Sequence, residues 1–502
     1  MMLSKPDAGT DITLLLEGTY PFVRGGVSGW VHQLIEGLPE FSFSLIYLGA
    51  ERAAQGEMRY RLPPNVRELH CHYLMDGSEL RPLPGREGDP AYFQDSARLH
   101  AWFCKPEGAP DNAWLDRVVL QKGQRQDACT MDFFSSKAAW EQISDSYNRN
   151  CPTASFQSYF WSVRNMHTPL LKLAAIAQTI APSRIFHTIS TGYAGLLGVM
   201  LSQRTGRPLV LTEHGIYTKE RKIELQSMFL REQQGWFNPM PDAGMEHHNQ
   251  AWVRLFEGIG RLVYGAANPI ITLFEKNRER QIADGAAAAC IRIVPNGVDL
   301  ARFAPLRARR PDATPMVVGL IGRVVPIKDI KTFIRAIGVL SLRLPQLQGW
   351  LIGPEEEDPA YVEECRALVK SLRLEDCIQF RGFQKVEDVL PQLGLLMLTS
   401  ISEAFPLVIL ESFASGLPVL ATDVGACRDL IDGKAPADAA LGRAGDVVPI
   451  ANHDALARAA YLLLTDPLRW RAAQQAGIER VECYYQQSRV IDSYREIYQR
   501  AG

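Results

Sequence analysis

Asp11-Ile12-Thr13-Leu14-Leu15-Leu16-Glu17 is the stretch from which the rest of the chain is read. Its apolar run is too short for a helix and nearly continuous, as in a strand buried on both faces of a parallel sheet. The loop Arg24-Gly25-Gly26-Val27-Ser28-Gly29 follows, and Val27, Trp30, Val31, Leu34, Ile35 and Leu38 then recur at helical spacing. Residues 41–48 read as the next strand. Strand, glycine loop, amphipathic helix and strand make one unit of a doubly wound α/β layer. Further strands are expected at 184–187, 208–212, 270–273 and 291–294.

The pattern restarts at Met316-Val317-Val318-Gly319-Leu320-Ile321-Gly322-Arg323. Ile330, Phe333, Ile334 and Ile337 share one face of the helix after it, and strands are expected at 350–352, 378–380, 395–398 and 419–421. Residues 302–315, rich in Arg, Pro and Ala, have the composition of a linker. The expected organisation is an N-terminal domain over 1–301, a linker over 302–315, a second domain over 316–482 and a C-terminal helix over 483–502 packing back toward the first. The alternation breaks over 75–151, where Arg81-Pro82-Leu83-Pro84-Gly85 precedes polar and aromatic residues. That segment reads as an insertion: an acceptor lid, a docking surface or a plain elaboration.

Composition narrows the class. A chain of 502 residues exceeds a single core, so two or more domains are expected. A net charge of -2 without a Lys/Arg block argues against a nucleic-acid partner and leaves room for a small cationic pocket. The first apolar run, Leu14-Leu15-Leu16, is far shorter than the roughly 20 residues of a membrane span, and no secretory signal is read. Nine cysteines scattered without CxxC pairs suit reduced thiols, so the expected location is cytoplasmic. His247-His248 stands without an HExxH motif or a matching ligand cluster, so no metal is expected.

Chemistry is expected beyond the carboxyl ends of the strands. Gly25 and Gly26 precede a helix and would let backbone N–H groups approach an anion, although a tight turn explains them equally. The spacing is not the GxGxxG dinucleotide fingerprint. Arg323 at a strand end, with Lys328 five residues on, can neutralise a diphosphate and stabilise it as a leaving group; two solvated charges are the bland alternative. In Ser402-Glu403-Ala404-Phe405-Pro406-Leu407-Val408-Ile409-Leu410-Glu411, Pro406 suits a helix's first turn. The free N–H groups around Ala404-Phe405-Pro406-Leu407 favour a phosphate or a partly charged sugar. Glu411 stands among apolar residues and needs a partner, which paired ribose hydroxyls would supply; a helix-start acid at Glu403 and a surface acid at Glu411 are the bland alternative.

Together these motifs resemble glycosyltransferase family 4: the Glu403/Glu411 spacing, Arg323 with Lys328, the Gly25-Gly26 loop, Pro295-Asn296-Gly297-Val298-Asp299, Gly416-Leu417-Pro418-Val419 and Thr422-Asp423-Val424-Gly425. The opening Leu15-Leu16-Glu17-Gly18-Thr19-Tyr20-Pro21-Phe22-Val23-Arg24-Gly25-Gly26-Val27-Ser28 and the later Thr212-Glu213-His214-Gly215-Ile216-Tyr217 resemble its PelF branch, the cytosolic transferases of Pel exopolysaccharide synthesis. The resemblance implies an α/β fold of GT-B type, with two Rossmann-like domains facing each other across a cleft. It implies a retaining, metal-independent hexosyl transfer from a UDP-sugar to a polysaccharide acceptor, without cofactor. It also implies inner-membrane Pel synthesis and export proteins as partners, recruiting the chain to the inner face of the membrane.

By the same resemblance, Arg323 and Lys328 hold the diphosphate, Glu403 contacts sugar hydroxyls and Glu411 the ribose. Gly25 and Gly26 line the cleft from the other domain, and His214 lies beside the transferred sugar. His214 has this role only through the resemblance, because a lone histidine at a strand end is more often structural. Phe383 is a candidate for the base pocket or, equally, a core aromatic, and Asn296-Gly297 belongs to a hinge or a simple turn. Three other readings stay open: an NAD(P)-dependent oxidoreductase, a glycogen-phosphorylase-like enzyme and a non-catalytic nucleotide-sugar-binding subunit of a membrane synthase.

Overall fold

The two runs of alternation resolve into two separate, wholly parallel sheets. A computed structural model of the chain describes residues 9–76, 85–104, 117–118, 132–150, 155–223 and 243–501. The first sheet holds β1 (Ile12–Glu17), β2 (Phe43–Gly49), β3 (Val66–Tyr73), β4 (Ile185–Thr188), β5 (Leu209–Glu213), β6 (Ala267–Thr272) and β7 (Ile291–Ile293), in the order β3-β2-β1-β4-β5-β6-β7. β1 runs beside β2 in register Ile12↔Phe43 and beside β4 in register Ile12↔Ile185. Ile12, Leu14, Leu15 and Leu16 are fully buried, because a central strand has helices on both faces.

The helix Tyr193–Thr205 is buried from Tyr193 through Leu201. It lies against the sheet so closely that a Cβ on Gly198 would come within 2.7 Å of Leu209 and 3.0 Å of Leu15. Within the expected insertion, the helices Pro90–Cys104 and Lys137–Asn150 form an aromatic satellite core with the helix Phe156–Thr179. Tyr92, Phe93, Phe133, Ile143, Tyr159 and Val163 fill it, while Leu99 and Trp102 join the main core. The loop 81–84 and most of residues 105–131 lie outside the described residues.

The second sheet holds β8 (Val317–Ile321), β9 (Gln348–Ile352), β10 (Ile378–Phe380), β11 (Leu395–Leu398), β12 (Val419–Thr422) and β13 (Gly445–Val448), in the order β10-β9-β8-β11-β12-β13. In both sheets the strand order reverses once, between β1 and β4 and between β8 and β11. Open α/β sheets take ligands at such reversals.

The chain divides into one unit of Met1–Ile293 with Arg495–Gly502 and a second of Val294–Tyr494. Residues 302–315, read from composition as a linker, are tied into the second unit by their own arginines. Arg302 Nε donates to Glu387 at 2.6 Å, Arg307 Nη1 to Glu482 at 2.6 Å, and Arg310 Nη1 to the Leu390 carbonyl at 2.9 Å. The end of the final helix, Gln487–Ala501, belongs to the first unit. There Tyr498 is fully buried with its hydroxyl 2.6 Å from His187 Nδ1, and Arg495 pairs with Glu40.

Candidate active site

In the second unit, the site residues gather at the carboxyl ends of β8 and β11. Gly322 N donates to the Ile352 carbonyl at 2.9 Å, and a Cβ on Gly353 would fall 1.9 Å from Gly322 O, so β9 abuts the end of β8 without a side chain. Lys328 closes the turn Pro326–Lys328, and Asp329 caps the helix Ile330–Ser341. Thr399 Oγ1, just past β11, donates to the carbonyls of Lys328 and Asp329 at 2.8 and 3.0 Å. The lysine side chain runs back over Gly322, whose Cβ position lies 3.5 Å from Lys328 Cε. Its Nζ meets Glu403 Oε1 at 2.5 Å, and Ser400 Oγ donates to the same oxygen at 2.6 Å. Both partners of this ion pair are largely buried, at 19% and 13% exposure.

Arg323 is held differently. Its Nη1 bridges both oxygens of Glu357 at 2.6 Å, with each side chain about half exposed. An exposed pair of this kind stabilises by at most about 1 kcal/mol, so an anionic ligand can displace the glutamate at little cost.

The loop carrying Glu403 is shaped from below by Thr422-Asp423-Val424-Gly425. Gly425 has φ 53°, and a Cβ there would lie 2.2 Å from Glu403 O and 2.4 Å from Ala404 O. Ala426 N donates to the Ala404 carbonyl at 2.9 Å. Pro406 precedes the helix Leu407–Ala414 as its cap in extended conformation, rather than occupying its first turn. Phe405 turns inward: its ring is buried 5.9 Å from that of Tyr485, which leaves only its backbone for a ligand. Asn296, expected in a hinge or turn, donates to the Phe405 carbonyl at 3.4 Å.

Glu411 has an enclosed carboxyl, although the residue keeps some exposed surface. No described residue hydrogen-bonds or ion-pairs with that carboxyl. Burial pushes it up to about 7; the charge of Arg302 opposes the rise and that of Glu387 adds to it. Phe383 is 63% exposed in the turn after β10, where Gly353 N donates to the Gly382 carbonyl at 2.9 Å.

The first unit carries the remaining residues. Gly25 caps the helix Gly26–Gly37 with extended backbone, and no atom lies within 4 Å of where its Cβ would sit. Nothing within the unit demands a glycine there. Trp30, from the same helix, meets the ring of His214 edge to face at 4.5 Å. Burial pushes His214 down to about 4, so it is a neutral imidazole at pH 7, and its enclosed Nε2 has no partner.

Sequence reasoning missed Glu213, the buried last residue of β5. Its Oε1 accepts from Thr191 Oγ1 and Tyr217 N, both at 3.1 Å, and its Oε2 from Tyr264 at 2.7 Å and Gln281 at 2.8 Å. The acid thereby holds the loop that carries His214. It also missed Thr399 and Ser400, for which position just past β11 was the only signal, and Arg302 and Glu357, for which the sequence carried none. Among the described residues, no group of three or more His, Cys, Asp or Glu is placed to hold a metal ion, and no helix is long and apolar enough to cross a membrane. The side chains of His247 and His248 lie outside the described residues.

Two doubly wound parallel sheets, each with polar residues at its reversal point, define an α/β protein of GT-B type. Solved structures of that fold agree. HepE of Anabaena, in complex with UDP and glucose, aligns over 98% of this chain and 99% of its own, with TM-score 0.60 and 16% identity. Sucrose-phosphate synthase of Thermosynechococcus elongatus aligns over 98% of each chain, with TM-score 0.57 and 18% identity. Identities this low speak for the fold alone.

Residues 10–289, more than half the chain, match the family described as Domain of unknown function (DUF3492), and the chain belongs to that family. Residues 315–466 match the Glycosyl transferases group 1 family. The D-inositol 3-phosphate glycosyltransferase of Kineococcus radiotolerans is 30% identical over 257 residues, 48% of this chain and 58% of that protein. Its counterpart in Streptomyces avermitilis is 27% identical over 309 residues, 58% and 60% of the two. The chain thus spans less than two thirds of the length of these curated relatives.

Proposed function

We propose that this chain is a retaining glycosyltransferase that moves a hexose or N-acetylhexosamine from a UDP-linked donor to a growing exopolysaccharide, without a metal ion. The observation that carries the reading is the cluster at the β8/β11 reversal. Lys328, Glu403 and Ser400 meet there, Arg323 stands one residue past Gly322, and Glu411 follows in the next helix without a partner. Two cations beside a helix start suit a diphosphate, and an unpaired carboxylate suits the two hydroxyls of a ribose. Glycosyl transfer is favoured by the group 1 match, and UDP as the nucleotide by the fold shared with HepE, which was solved with UDP and glucose.

In this mechanism Lys328 and Arg323 stabilise the charge that develops on the departing diphosphate. Lys328 keeps its contact with Glu403, while Arg323 exchanges Glu357 for phosphate oxygens. The diphosphate takes the proton of the acceptor hydroxyl as that oxygen attacks the same face of the sugar, which retains the anomeric configuration. Glu403 and the neutral His214 position the sugar, and Ala404-Phe405-Pro406-Leu407 contribute backbone. Catalysis then rests on positioning and charge stabilisation rather than on a protein nucleophile. Gly25 and Gly26 leave room for a ligand, and Phe383 offers an exposed ring to a base.

The Pel-like acceptor, the inner-membrane partners and a cytoplasmic location rest on the motifs over 15–28 and 212–217, with the insertion as the docking surface. The test is calorimetry with UDP, GDP, ADP and NAD in chelator, beside a Glu411→Ala variant. UDP binding weakened by the substitution supports the donor site, and NAD binding in its place would falsify it. UDP binding without turnover, with acceptor and partners present, would leave a non-catalytic subunit.

A further inference from the structure

Glu17 ends the central strand β1 but has no part in the donor chemistry above. We infer that Glu17 and Tyr217, with the hydroxyls around them, bind a neutral, hydroxyl-bearing acceptor, the end of a sugar chain. This rests on the transferase reading and names its acceptor class.

The place is the β1/β4 reversal of the first sheet, where such folds take ligands. Glu17 Oε1 accepts from the Tyr217 hydroxyl at 2.8 Å, and Oε2 from Ala194 N, in the first turn of the helix Tyr193–Thr205, at 3.1 Å. These two bonds fix the carboxylate and use about half of its roughly four acceptor positions. The residue is partly exposed, and no described cation is ion-paired with it. Arg221 lies over the rings of Tyr217 and Phe256, at 5.7 and 5.3 Å, and its charge acts on the Tyr217 and Tyr193 hydroxyls. Gly192 lets the pair sit against the backbone: a Cβ there would stand 2.5 Å from the Tyr217 ring and 2.6 Å from Glu17 Oε2.

A second observation points to a ligand. The enclosed side-chain oxygens of Thr19, Ser190 and Tyr193 have no hydrogen-bond partner; Thr19 and Ser190 lie in the loops after β1 and β4, and Tyr193 opens the helix that follows β4. Tyr193 is 4% exposed, and burial, aided by the charge of Glu17 and opposed by that of Arg221, holds its hydroxyl far above the usual range. Each enclosed polar atom left unpaired costs about 1–3 kcal/mol, so such atoms are few in native proteins. Their concentration at one reversal marks a place for hydrogen-bonding groups from outside. A carboxylate among hydroxyls selects hydrogen-bond donors such as sugar hydroxyls.

The test measures binding of the α-linked trimers of N-acetylgalactosamine and of glucose, and of D-inositol 3-phosphate, by saturation-transfer NMR with and without UDP. One trimer should bind the parent, and binding should weaken about tenfold in Glu17→Gln, for loss of a charge-assisted hydrogen bond. UDP affinity should be unchanged, since Arg323, Lys328 and Glu411, proposed to hold the diphosphate and the ribose, lie in the other unit. Tyr217→Phe, which removes only a hydroxyl, gives the same reading if Glu17→Gln fails to fold. Equal trimer binding in parent and variants overturns the proposal, as does binding of neither trimer or a preference for D-inositol 3-phosphate. Failure of UDP to bind the parent would count against the donor site alone, because the trimer arms are also read without UDP.

Discussion

Glu411→Gln tests the geometry of the second unit without any substrate. Burial raises the Glu411 carboxyl from 4.5 to about 7, so the folded chain holds a proton that the unfolded chain has released between those values. Stability therefore falls as pH rises through that window, because ionisation is resisted only in the fold. The shift corresponds to about 3 kcal/mol, present in full below pH 4.5 and lost above pH 7. Glutamine cannot ionise and matches the carboxyl in shape, so its variant escapes the loss. Urea unfolding of parent and variant at pH 5, 6, 7 and 8 should show the variant gaining about 2–3 kcal/mol relative to the parent across the series. Parallel pH profiles would refute the reasoning, since they would mean that the carboxyl is not enclosed. If ribose hydroxyls donate to Glu411, binding UDP at pH 6 should also release a proton, seen as a dependence of calorimetric heat on buffer ionisation enthalpy.

Four further outcomes are expected. Lys328→Ala should lower kcat by about 10²–10³, read as UDP release in the presence of acceptor, because it removes a charge from the leaving group. Gly425→Ala should cost about 1–3 kcal/mol in thermal unfolding and weaken UDP binding, since its φ of 53° and the Glu403 carbonyl 2.2 Å from the new Cβ force the loop to move. Glu213→Ala should destabilise the first unit by about 3 kcal/mol or more, leaving four donors unpaired, while Glu213→Gln should recover much of this by flipping Gln281, whose own oxygen is unpartnered. Burial pushes His100 and His167, whose Nε2 atoms lie 2.6 Å apart, down from 6.5 to about 3 and about 4. The unfolded chain takes up protons first, so stability should be lost as pH falls from 6.5 toward 4, and His167→Phe should flatten that part of the melting curve.

The strands most legible in the sequence are those buried on both faces. β1, β2, β4, β5, β8 and β11 read as apolar runs because each lies inside a parallel sheet covered by helices. β3 and β13 escaped notice because neither reads as an apolar run: Val66–Tyr73 mixes Arg, Glu and His with apolar residues, and Gly445–Val448 opens on Gly-Asp. The donor motifs were legible for a related reason. Lys328, Glu403 and Gly425 lie in the connections after β8, β11 and β12, where such folds place polar residues.

Residues 302–315 look like a linker by composition, and only their long-range partners, such as Glu387 and Glu482, make them part of a domain. Sequence pattern reports local periodicity and says nothing of what an arginine reaches across the fold. The same limit hid Glu213, whose four donors come from Thr191, Tyr217, Tyr264 and Gln281, and the partnership of Glu17 with Tyr217, 200 residues away. Local apolar spacing thus determined the two α/β layers and where their loops fall. Strand order, which carries residues hundreds of positions apart to one sheet edge, decided which polar groups meet there, because burial leaves each of them in need of a partner.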